Sequence, residues 1–238
     1  MDSNTEKLTK LYNFKPMYTK QENSKVLKTQ IDTWCDIIKQ HYRFTKNFKF
    51  STKVNKSLFE NGNLKRSLDD KFQKEIIDKL YKDKILINLI PLKNKLLSDK
   101  KFAKTWNSSS NPTPKSDLLI AKHIDLESKE DEVEISYTTF ILFESVDFFA
   151  DLFLEYMDMN SGKDNIFTIY ELSKCDMIFS DKRKSPFIEK LDTFDDGDDD
   201  YDSVPEDLIV YIVYKGLIDK NIACPIFEDE ELVAIKKI

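Results

Sequence analysis

The feature that most constrains the fold is a pattern that occurs twice. Leu80-Tyr81-Lys82-Asp83-Lys84-Ile85 ends one amphipathic segment, and Leu217-Ile218-Asp219-Lys220-Asn221-Ile222 ends another. In both, an apolar pair, a polar turn and an isoleucine lead into an extended run, Ile85 to Ile90 and then Ile222 to Phe227. Helical periodicity that passes through a short turn into extended residues predicts a helix followed by a strand. Its repetition predicts two copies of one supersecondary unit.

Each copy has further helices upstream. In the first, Asn23 and Ser24 are N-caps, and Leu27, Ile31, Trp34 and Ile38 follow at helical spacing. Cys35 and Tyr42 widen that face, while Lys25, Lys28, Asp32, Asp36 and Lys39 take the opposite one. Arg43 to Lys56 reads as a basic connector, and Ser57-Leu58-Phe59 as a short apolar segment closed by Asn61-Gly62-Asn63. Asp69 or Asp70 caps a helix with Phe72, Ile76 and Leu80 on one face. Ile135 to Phe143 is the strand expected to pair with Ile85 to Ile90.

In the second copy, Ser145 caps a helix lined by Val146, Phe149, Ala150, Phe153 and Met157. Thr168 and Glu171 form a capping box. Pro205 opens a helix with Leu208, Ile209 and Ile212, expected to close at Lys215-Gly216. Ile222 to Phe227 and Leu232 to Ile235 form the last hairpin. Three helical segments followed by a hairpin make a winged helix. The expected fold is therefore α+β: two tandem winged-helix domains, 21–143 and 144–238, after an extended aromatic tail, 1–20. A Ser/Pro-rich, charged stretch at about 98–134 reads as an insertion in the first wing, and about 174–203 as an acidic loop.

The tail holds Tyr12, Phe14, Pro16, Met17 and Tyr18, outside any amphipathic pattern and too apolar for an ordinary terminus. It can fold back onto its own domain or enter a groove on another chain. The second fate is the working expectation, because Pro16 biases Lys15 toward an extended conformation and lowers the entropy lost on capture. Arg66, between Leu64 and Leu68, is expected to face outward. A planar guanidinium there suits a bidentate contact to a partner carboxylate.

Nothing in the sequence assembles catalysis. The chain of 238 residues has 4 Gly and no glycine-rich phosphate loop. Its two histidines, His41 and His123, have no cysteine near them, and Cys35, Cys175 and Cys224 have no metal-like spacing. In the run Asp195-Asp196-Gly197-Asp198-Asp199-Asp200, the twelfth position of a calcium loop would be Ser203, where a bidentate Glu is needed. A non-enzyme without cofactor or metal is expected. No apolar leader or membrane-length run is seen, so a soluble, cytoplasmic chain is expected. Residues 1–97 carry a net charge of +10 and residues 98–238 one of −16, which predicts modules with different partners. A winged-helix DNA-binding transcription factor is the alternative. Against it, Lys71, Lys74 and Lys79 alternate with Asp70, Glu75 and Asp78, and the second equivalent helix begins Glu206-Asp207.

Motifs in both halves resemble the small-subunit family of ESCRT-II, that of vacuolar protein sorting-associated protein 25. The resemblance runs through Tyr12, Phe14, Lys15-Pro16-Met17-Tyr18-Thr19 and Trp34, then Leu58-Phe59-Glu60-Asn61 and Arg66. It continues in Ile166-Phe167-Thr168-Ile169-Tyr170-Glu171-Leu172 and Leu232-Val233-Ala234-Ile235-Lys236. Lys15 stands where the family has the first proline of a pair. The resemblance implies a non-catalytic scaffold present in two copies per complex. Its tail (Phe14, Pro16, Met17, Tyr18) and first domain, with Arg66, would dock on the larger ESCRT-II subunits, vacuolar protein sorting proteins 22 and 36. Its second domain would recruit an ESCRT-III subunit, vacuolar protein sorting protein 20. The implied setting is the endosome membrane and cargo sorting to multivesicular endosomes and the vacuole or lysosome.

Overall fold

A computed structural model describes residues 3–89, 138–160, 165–188, 203–228 and 231–238. The expected insertion at 98–134, His123 and the Asp195-to-Asp200 run lie outside these residues. The chain divides into two units. Among the described residues the first holds 3–86, 141–143 and 181–188, and the rest form the second.

In the first unit the order is α1 (Ser3–Tyr12), a 3-10 turn (Lys15–Tyr18), α2 (Ser24–Thr45), α3 (Thr52–Phe59), β1 (Glu60–Asn61), β2 (Arg66–Ser67) and α4 (Asp70–Lys82). Two caps set the helix starts. Asn23 accepts from the Lys25 and Val26 amides at 3.0 and 3.2 Å, and Asp69 from the Phe72 amide at 2.9 Å. The stripe on α2 buries Trp34, Ile38 and Tyr42, and that on α4 buries Phe72, Ile76 and Leu80. Each such side chain contributes ~1.5–3 kcal/mol by leaving water. The chain leaves this unit through β3 (Leu86–Leu89), which pairs with β4 (Thr138–Ile141) in a two-stranded ribbon.

Three expectations are corrected here. The tail is not extended: residues 3–12 are helical, residues 15–18 form a 3-10 turn, and Tyr12, Met17 and Tyr18 are buried. Their aromatic surface finds a home on the chain's own α2. The connector Arg43 to Lys56 is the end of α2 and the start of α3, with Phe44 and Phe48 buried. Flanking lysines mask the short apolar period there. Finally, residues 181–188 lie in the first unit and not in an acidic loop of the second, because Phe187 is anchored in the first unit's core.

The second unit runs α5 (Val146–Asn160), β5 (Ile166–Thr168), α6 (Ile169–Ser173), a 3-10 turn (Asp176–Ile178), α7 (Glu206–Val213), β6 (Ala223–Glu228) and β7 (Glu231–Lys237). The strands make an antiparallel sheet in the order β5-β7-β6, with Phe167 opposite Ile235 and Ile226 opposite Ala234. Pro225, which has no amide hydrogen, sits on the edge strand β6, where its missing bond costs least. Thr168 and Glu171 form the expected box: the Thr168 hydroxyl accepts from the Glu171 amide and the Glu171 carboxylate from the Thr168 amide. The core is Phe149, Phe153, Met157, Leu172, Leu208, Ile212 and Leu217.

Gly216 does not close its helix. The chain continues from α7 through a π turn, Tyr214–Ile218, and Gly216 is buried within it. A Cβ at this position would lie 2.5 Å from the Ala150 Cβ. Glycine is needed here for the close approach of two helical segments, not for a stop.

The repeated hexapeptide has a common geometry. The Ile85 amide donates to the Leu80 carbonyl at 2.9 Å and the Lys84 amide to that of Tyr81 at 3.0 Å. In the second unit Ile222 donates to Leu217 at 2.8 Å and Asn221 to Ile218 at 2.9 Å. Lys84 and Asn221 both adopt φ 57°. This is a Schellman motif, in which a left-handed residue lets two amides cap the last helical carbonyls. Each isoleucine then accepts a returning amide, from Leu142 in the first unit and Ile238 in the second.

Candidate functional site

The residues singled out in the sequence gather around the turn Lys15–Tyr18. Pro16 lies in its first turn, directly after Lys15, with φ preset for a helical conformation. Its carbonyls are held from α2. Gln30 Nε2 donates to the carbonyls of Pro16, Met17 and Thr19 at 3.2, 3.0 and 2.9 Å. Trp34 Nε1 donates to Met17 at 3.0 Å. The Tyr18 hydroxyl donates to the Tyr12 carbonyl at 2.9 Å, and the Tyr12 hydroxyl to the Glu60 carbonyl at 3.1 Å. Asn61 Nδ2 reaches the Tyr12 carbonyl at 3.3 Å and Asn13 Oδ1 at 3.1 Å.

These bonds enclose an aromatic cluster. Trp34 lies edge-on to Tyr18, Tyr12 and Phe59, at centroid distances of 5.3, 6.0 and 6.0 Å, the arrangement that ring quadrupoles favour. Burial pushes the Tyr18 phenol up to about 12 and raises that of Tyr12 further. Both are neutral donors at physiological pH.

Five residues were expected to touch a partner. Met17 and Tyr18 are in the cluster, buried in the free chain, so they set the shape of the turn and do not offer a surface. Phe14 is 53 % exposed and Pro16 is exposed. Arg66 is exposed on β2, which packs against this same turn. An exposed phenylalanine, a proline and an arginine thus lie on neighbouring elements of a rigid frame. Gln30, which fastens the frame, carries no signal in the sequence, because a buried amide on a helix face looks like a solvated one; Asn61 was visible there only as a turn residue and as part of the resemblance.

A concavity of about 440 Å³ lies between α2 and α4, lined by Leu27 and Ile31 and by charged side chains. His41 is buried with Nδ1 2.8 Å from the Ser185 hydroxyl, and burial pushes its pKa down to about 4. Burial likewise pushes the Cys35 thiol up to about 12. Among the described residues, no three His, Cys, Asp or Glu side chains are grouped to hold a metal ion. Nor is any helix among them long and apolar enough to cross a membrane.

Fold and site define a class: an α+β protein of two helix-and-hairpin units, with an exposed phenylalanine, proline and arginine on neighbouring elements of the first. The chain belongs to the ESCRT-II complex subunit family, whose model matches residues 11–182. It is 26% identical to the vacuolar protein-sorting-associated protein 25 of Saccharomyces cerevisiae (strain ATCC 204508 / S288c), over 97% of this chain and 98% of that one. Its fold is similar to the crystal structure of subunit VPS25 of ESCRT-II, with a TM-score of 0.58, 24% identity, and 96% and 97% of the two chains covered. A chain in a structure of the ESCRT-II endosomal trafficking complex is similar at 26% identity and a TM-score of 0.56, over 95% and 97% of the chains. One in the ESCRT-II complex VPS22/VPS25/VPS36 is similar at 25% and 0.54, over 96% and 97%.

Proposed function

We propose that this chain is a non-catalytic scaffold that docks on the two larger ESCRT-II subunits through the face carrying Phe14, Pro16 and Arg66. Met17 and Tyr18 serve the same contact from beneath by fixing the turn. The observation that carries the reading is the 53 % exposure of Phe14 on a turn whose neighbours are locked into the core. An aromatic side chain presented by an ordered backbone loses little entropy on capture, and a nearby arginine is a favoured anchor. The similar chains in ESCRT-II structures, one of them the VPS22/VPS25/VPS36 complex, support the choice of partner.

In this reading residues 21–143 and 144–238 are two winged-helix domains, and the chain enters the complex in two copies. The second domain, in the acidic half of the chain, recruits a basic segment of an ESCRT-III subunit. The complex then acts in cargo sorting to multivesicular endosomes, and the chain reaches the endosome membrane from the cytoplasm through it. The DNA-binding alternative has less support: Lys79 on α4 is engaged by Asp83 and Asp32, and Glu75 by Lys20.

Titration calorimetry against the larger subunits tests the docking face. Arg66→Ala is expected to weaken assembly by ~2–4 kcal/mol, chiefly by leaving a partner carboxylate unpaired. Arg66→Lys should recover part of that loss, since an ammonium cannot reproduce the bidentate contact. Phe14→Ala should weaken binding without lowering the stability of the free chain. Wild-type affinity in both Arg66→Ala and Phe14→Ala would overturn the proposal.

A further inference from the structure

Residues 181–188 form a strap on the first unit, without helix or strand of its own. Asp181 pairs with Lys46, the Arg183 amide donates to the Phe44 carbonyl at 2.8 Å, and the Arg183 guanidinium lies 4.1 Å from the Phe44 ring centroid. Phe187 packs on Tyr12 at 5.5 Å. At the centre Ser185, 6% exposed, has its hydroxyl 2.8 Å from His41 Nδ1 and 3.4 Å from the Phe187 amide. The hydroxyl thus meets both the Phe187 amide and a buried, neutral imidazole, and the His41 tautomer sets which of Oγ and Nδ1 donates. The sequence around it is Lys182-Arg183-Lys184-Ser185-Pro186. The family match ends at residue 182, so the strap from Arg183 onward lies beyond what that family model covers.

We propose that Ser185 is a phosphorylation site for a proline-directed serine kinase, and that the modification releases the strap from the first unit. The motif supplies what such a kinase reads, a serine followed by a ring with no backbone N–H. The strap's own structure supplies access: residues 181–188 form no helix or strand and 181–184 are exposed, so the segment can open locally without global unfolding. In the transfer, Ser185 Oγ attacks the γ-phosphorus of ATP and an Oγ–P bond forms. The bond from that phosphorus to its bridging oxygen breaks, ADP leaves with the electron pair, and the hydroxyl proton passes to the kinase's base.

The consequence follows from the site. The hydroxyl hydrogen is lost, and a group of charge near −2 takes its place. That dianion would lie against the buried His41 ring and Phe187, shut off from the water it needs. Outside, Lys182, Arg183 and Lys184 are exposed and accompany the phosphate into solvent. Phe187 then leaves Tyr12, which loosens the frame from its far side. The inference stands on the strap alone and requires no ESCRT-II partner.

The test uses the full chain, ATP and a purified proline-directed kinase, with the site mapped by mass spectrometry and the strap followed by hydrogen exchange. Incorporation is expected at Ser185, absent in Ser185→Ala and strongly reduced in Pro186→Ala. Exchange of the peptide covering the Arg183 amide should speed up by about tenfold or more in the phosphorylated chain. Two results would overturn the proposal. One is no incorporation at Ser185 in the native chain while a peptide of the strap sequence is modified. The other is incorporation with exchange unchanged or slower, meaning that a protonated His41 holds the phosphate in place.

Discussion

His41 ties stability to pH. Its pKa is pushed from 6.5 down to about 4 by burial. Below pH 6.5 the unfolded chain takes up a proton that the folded chain refuses, so stability is full above 6.5 and falls toward pH 4. The loss amounts to ~3 kcal/mol over that window. Urea titrations at several pH values should show it, and in His41→Asn the slope from this group should vanish. Gln30 makes a second test. Removing its amide takes one donor from each of the carbonyls of Pro16, Met17 and Thr19, which keep bonds from Trp34 or Gln21, so Gln30→Ala should cost ~0.5–1.5 kcal/mol and speed exchange in residues 15–19. Arg66 was legible as an outward residue because two leucines flank it. The fate of Tyr12 and Tyr18 was not, because both pack on Trp34 of α2 and Tyr12 also on Phe187 of the strap, contacts that no local pattern marks.

Elements were legible where a periodic stripe met a cap. Asn23, Asp69 and Thr168 each begin the helix that their side chains suggest, because the cap bond is local. The Schellman turns were visible as a repeated hexapeptide for the same reason. Failures came where a long-range contact decides. Gly216 resembles a helix stop, yet its role is set by Ala150, 66 positions earlier in the chain, against whose Cβ a new methyl would lie at 2.5 Å. Gly216→Ala should therefore destabilise the second unit by ~1–3 kcal/mol through overpacking. Adding Ala150→Gly restores the space, so the double variant should lose less than the sum of the two single losses despite glycine's helix penalty of about 1 kcal/mol. Additive losses would mean that the two helical segments do not meet in this way.

On the scale of the whole molecule, the N-terminal segment is part of the first unit's core and, in the proposed function, also the docking surface. Tyr12, Met17 and Tyr18 are buried, and Trp34 Nε1 bonds the Met17 carbonyl at 3.0 Å. Deleting residues 1–19 should thus lower the urea midpoint of the free chain, with a loss upward of ~4 kcal/mol from those three side chains. An unchanged midpoint would mean that the segment does not pack on α2. Phe14→Ala and Arg66→Ala separate the two roles, since they change the surface and leave the frame. The most direct measurement is the mass of the assembly formed when the full chain is co-expressed with the two larger ESCRT-II subunits, read by native mass spectrometry. A scaffold docked through this face predicts one complex containing two copies of the chain, lost when Phe14→Ala and Arg66→Ala are combined. A chain that stays monomeric beside a complex of the larger subunits would contradict it.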